Sequence, residues 1–79
     1  MNGKRPTQRQ RVVQYMKDNG SITRLESCTK LFIFELSARI VELERRGWVF
    51  DKVRESKKNS FNEVKNFTRY SIIKEGESL

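Results

Sequence analysis

The chain contains no histidine, one cysteine, one proline and four glycines. Nor does it have an apolar run approaching the roughly 18 residues of a membrane span. Each scarcity removes a class of function. Without histidine, the commonest metal ligand and the most frequent general base are missing. Cys28 alone cannot close an internal disulfide and leaves too few soft ligands for structural zinc, so it reads as a small core residue. There is no glycine-rich phosphate loop and no convincing carboxylate pair, so neither catalysis nor a cofactor is expected. The basic start, MNGKRPTQRQR, is followed by no apolar run of the signal-peptide type, which points to a soluble, cytoplasmic protein away from membranes.

What the chain has in excess is positive charge. Seventeen Lys and Arg stand against ten Asp and Glu, giving a net charge of +7 and a pI near 10.0. In 79 residues, 35% hydrophobic and 10% aromatic, this describes one small, polar but foldable domain. An anionic partner follows, and nucleic acid is the leading one; plain solubility is the bland alternative.

Local signals divide the chain. Residues 1–6 form a basic arm ended by Pro6. Thr7 and Gln10 fit a capping box, Val12, Val13 and Met16 recur on one helical face, and Asn19-Gly20 is a stop, so a first helix is expected over Gln8–Asn19. Ser21-Ile22-Thr23 is an extended link. Thr23 and Glu26 form a second capping box that opens helix two, with Leu25 and Cys28 as its buried positions. A third helix, ended by Gly47, carries Leu36, Ile40 and Leu43, which with Ile33 follow the 3, 4, 3 spacing of one buried stripe. Two helices meeting at a tight corner, the second ending in glycine, read as a helix-turn-helix, whose second helix commonly enters the DNA major groove.

Past Gly47 the residues become β-prone: Trp48, Val49, Phe50 and Val53, then Phe67, Tyr70, Ile72 and Ile73. The pattern predicts a two-stranded hairpin with a long polar connection, mobile near residues 56–60, and Trp48 as core. Residues 74–79 are expected to fray as a C-terminal tail, which leaves residues 7–73 as the folded domain.

Three phrases, RQRVVQYMKDNGSIT, LSARIVELERRGW and FTRYSII, resemble the small winged helix-turn-helix proteins of phages and prophages. In these a helix ending in Asn/His-Gly is followed by Ser-Ile-Thr and then by a Leu-Ser-x-Arg-Ile-x-x-Leu-x-x-Arg-Gly helix. The likeness covers residues 8–73. It implies an α+β winged helix, a three-helix bundle followed by a two-stranded wing, with residues 34–46 as recognition helix and double-stranded DNA as partner. Relatives of this fold often bind as homodimers on paired half-sites. Two positions depart from the pattern: Cys28 replaces a small alanine-like residue, and the turn reads Leu-Phe-Ile-Phe with no glycine.

For DNA reading, Ser37 and Arg39 near the start of the third helix can reach base edges, Phe34 or Ala38 can touch a thymine methyl, and Arg45 lies on the same far side. Arg24, Arg54, Lys57, Lys58 and Lys65 suit phosphates, as do Arg9, Lys52 and Arg69. The competing reading pairs Arg39 with Glu35 or Glu42 as ordinary surface ion pairs. An apolar Phe34, Ala38, Val41 stripe flanked by Glu35 and Glu42 also fits a different role, a module or inhibitor that binds a host protein of the nucleic-acid machinery. The expected activity is DNA binding by a small transcriptional regulator or recombination accessory factor.

Overall fold

The computed structural model describes residues 5–79; the first four residues of the basic arm lie outside them. Helix α1 spans Gln8–Asn19, and both halves of its capping box form: the Gln10 N–H donates to Thr7 Oγ1 at 3.2 Å and the Thr7 N–H to Gln10 Oε1 at 2.7 Å. It ends at Gly20, whose φ of 87° lets its N–H reach the Met16 carbonyl at 2.7 Å. Any side chain there would sit in a left-handed conformation that L-residues resist. The buried face is Val12, Val13 and Met16.

The Ile22–Thr23 link is a short strand, β1, and Thr23 then caps α2, Arg24–Leu31, through the second capping box with Glu26. The buried face of α2 differs from the expected one. Leu25 is 71% exposed and Cys28 only half-buried, whereas Ser27 is fully buried. The reason lies in the corner. Ser27 Oγ donates to the Ile33 carbonyl at 2.7 Å while the Ser27 carbonyl accepts from the Ile33 N–H at 3.0 Å. This fastening holds Phe32 at φ 56°, the left-handed position that a glycine would ordinarily take.

Helix α3 is Leu36–Glu44, shorter at each end than the expected 34–46. Phe34 belongs to the corner, and residues 45–47 form a turn closed by the Gly47 N–H to the Glu44 carbonyl at 3.0 Å. Its buried stripe is Leu36, Ile40 and Leu43, joined by Ile33 as the spacing predicts.

Strands β2, Val49–Lys58, and β3, Val64–Lys74, make the long hairpin. The sheet has three strands rather than two, in the order β1-β3-β2, all antiparallel, because Ile22 and Thr23 pair with Tyr70 and Arg69. That pairing stitches the link before α2 to the wing. At the base of the hairpin Trp48 and Phe50 stack at 6.5 Å between ring centroids and complete the core with Ile22.

The C-terminal segment, expected to fray, is hydrogen-bonded to the turn after α3 and to Trp48. The Glu77 N–H donates to the Arg46 carbonyl at 2.9 Å and Trp48 Nε1 donates to the Glu77 carbonyl at 3.0 Å. Gly76 passes so close to the turn after α3 that a Cβ would overlap the Arg46 carbonyl oxygen and lie 2.6 Å from the Trp48 nitrogen. Lys17 on α1 meets Glu75 at 3.4 Å from the other side. Among the described residues, no helix is long and apolar enough to cross a membrane.

Candidate nucleic-acid interface

Ten of the candidate residues read from the sequence fall into two groups. Arg24, Phe34, Ser37, Ala38, Arg39 and Arg45 lie on α2, the corner and α3 with its following turn; Arg54, Lys57, Lys58 and Lys65 lie on the hairpin. Arg24, Ser37 and Arg45 are exposed, Ala38 is half-buried, and Phe34 is 66% exposed in the corner, one residue ahead of the Glu35 cap.

Arg39 is engaged. Its Nη1 donates to Gln8 Oε1 on α1 at 2.9 Å and its Nη2 to Glu42 Oε2 at 3.2 Å. The Nε lies 3.0 Å from Glu42 Oε1 as a charge contact only, because its N–H is not aligned for a hydrogen bond. Glu42 also receives Arg9 from α1 at 3.7 Å. Of the two carboxylates that would oppose phosphates here, Glu42 is thus answered by two guanidinium groups, whereas Glu35 is exposed and forms no ion pair among the described residues. Three further cations read as phosphate ligands in the sequence are held by acids: Arg9 in this way, Lys52 by Glu44 at 2.9 Å, and Arg69 by Glu55.

Arg69 anchors the root of the wing. Its Nε donates to both oxygens of Glu55, at 3.2 and 3.1 Å, and its Nη1 to Ser21 Oγ at 3.0 Å and lies 3.8 Å from Glu26 on α2. The hydrogen bonds with Glu55 raise its pKa further above the ordinary guanidinium value, against a smaller opposing effect of desolvation. The Phe67 ring lies 6.0 Å from its guanidinium carbon. This junction was hidden in the sequence, since Glu55 and Arg69 meet only once the β2–β3 register is known.

Beyond Glu55 the hairpin changes character. Among the described residues, Arg24, Arg45, Arg54, Lys57, Lys58 and Lys65 form no ion pair. Lys57 and Lys65 are direct cross-strand partners, a like-charge pairing that disfavours the isolated hairpin. Lys58 pairs with Val64 on the opposite face, so the outer wing carries cations on both faces. Residues 56–58, expected to be mobile, are strand, and the tip is instead the five-residue loop 59–63.

Three α-helices, the buried Ser27 corner and a long antiparallel hairpin after the third helix are the parts of a winged helix. No curated protein and no solved structure gives a significant match. The family described as the winged helix-turn-helix domain matches residues 7–75, from the Thr7 cap to just past the end of β3, and the chain belongs to that family.

Proposed function

We propose that this protein binds double-stranded DNA as a small cytoplasmic transcriptional regulator or recombination accessory factor of phage or mobile-element type. Membership of the winged helix-turn-helix family supports DNA binding in general. The observation that carries the reading for this chain is the set of outer-wing cations that form no ion pair among the described residues, with Lys57 set directly against Lys65. A like-charge pair that weakens a hairpin is relieved when a polyanion lies along it.

In this reading α3 lies in the major groove, with Ser37 and Ala38 at its N-terminal end facing base edges and Phe34 against a thymine methyl. Arg24 and Arg45 hold phosphates on either side, while Arg54, Lys57, Lys58 and Lys65 follow the backbone. Arg39 acts through Gln8 and Glu42, orienting α3 on α1, and reaches DNA only by exchanging those partners. A homodimer would set two copies on half-sites about 34–36 Å apart. No catalytic step is assigned.

Fluorescence-anisotropy titration of duplex DNA between about 50 and 200 mM salt tests this, since log affinity should fall linearly with log salt at about 0.9 per phosphate contact. Absence of binding at the lowest salt would overturn the proposal and favour the host-protein partner.

A further inference from the structure

Among the described residues, the most exposed large apolar side chain stands at the end of the basic hairpin. Phe61, at the wing tip, is 82% exposed. Its place is fixed by its neighbours. Asn59 Oδ1 accepts from the Phe61 N–H at 2.9 Å and the Glu63 N–H at 3.0 Å, and Asn59 Nδ2 donates to Glu63 Oε1 at 2.8 Å. The Asn59 N–H and carbonyl close the loop against Glu63 and Asn62 at 2.9 and 3.1 Å, with Asn62 in the left-handed conformation at φ 62°. Asn59 therefore uses both its amide and its main chain to present a bare phenyl ring at the apex. The beginning of β3 adds Val64, also exposed.

We infer that Phe61 is an apolar wedge that enters the minor groove of duplex DNA and partly unstacks a base step. The inference rests on the DNA-binding reading above and assigns a distinct task to the wing tip. Three features of the wing favour this occupant. Beyond the Glu55–Arg69 pair, whose Arg69 reaches Ser21 and Glu26 of the body, the hairpin runs on by about 10 Å of strand and then the loop, enough to traverse a groove about 7.5 Å deep. Lys57 and Lys65 lie on one face of the hairpin and Lys58 on the other, so a tip lowered into the groove meets each phosphate wall with a cation. A single phenylalanine between them matches the side chains that pry open base steps from the minor groove, a task that needs an apolar tip and flanking positive charge together. Phosphate contact alone would leave the ring in water.

The test uses the full chain and a short duplex with 2-aminopurine replacing adenine in a central TA step, a step that unstacks easily, and dyes at the two ends to report bending. At about 50 mM salt the wild type should bind, raise 2-aminopurine emission and shorten the end-to-end distance. Phe61→Ala should abolish both signals and weaken binding at least about fivefold, with an unchanged salt slope. Phe61→Leu should keep both signals, since an aliphatic wedge serves as well. Tight, salt-dependent binding with identical emission and bend for wild type and Phe61→Ala would overturn the wedge while leaving DNA binding intact. Failure of the wild type to bind any duplex would remove the DNA reading and the wedge together.

Discussion

The body of the molecule and the outer half of its wing obey opposite rules. In the body, apolar side chains from α1, β1, α3 and the hairpin base converge on one core, and Glu26, Glu42, Glu44 and Glu75 each meet a cation. In the outer wing the strands are exposed on both faces, two lysines oppose each other, and a phenylalanine points to solvent. A bare two-stranded hairpin is marginal in water, so the wing depends on its root for order. On the proposed reading, stability belongs to the body while the outer wing serves partner binding without adding to stability, and substitutions should separate the two.

The largest effect on folding should come from the shared stripe. Leu43→Ala removes a fully buried side chain and should cost about 2–5 kcal/mol in chemical denaturation. Next comes the corner: Ser27→Ala deprives the buried Ile33 carbonyl of its hydroxyl donor and should cost about 1–3 kcal/mol, read from the denaturation midpoint. Gly76→Ala should undock the C-terminal segment, with a loss of about 1–3 kcal/mol and a change in Trp48 emission as its indole loses the Glu77 carbonyl. Unchanged emission would mean that the backbone yields without releasing the tail. Thr23→Ala removes the α2 cap and should cost about 1 kcal/mol.

These positions differ in how far the sequence revealed them. Both capping boxes, the span of α1 and the Ile33, Leu36, Ile40, Leu43 stripe were legible because each rests on residues three or four apart. The α2 phase was not, because hydropathy ranks Leu25 above Ser27, while burial was decided by the hydroxyl that Ile33 needs across the corner. The third strand, the docked tail and the Arg69 junction depend on register and on contacts between distant residues. Phe61 is illegible for a related reason: in a polar loop a lone aromatic carries no periodic signal, and its exposure follows from the Asn59 turn. The candidate cations were legible as charges, but which of them have partners was not, and Arg9, Arg39, Lys52 and Arg69 are engaged by acids or amides.

The smallest effect on folding, and the sharpest division between the regions, should come from the wing lysines. Removing the Lys57–Lys65 repulsion should leave stability within about 0.5 kcal/mol or raise it slightly. The most direct measurement is the salt dependence of duplex DNA binding for the wild type and for the Lys57→Ala, Lys58→Ala, Lys65→Ala triple variant, with the unfolding midpoint of each. The expected result is an unchanged or higher midpoint together with a salt slope reduced by about 2.7, or 0.9 for each lost phosphate contact. An equal slope for the two proteins, or no binding by the wild type at low salt, would contradict the assignment of the outer wing to DNA.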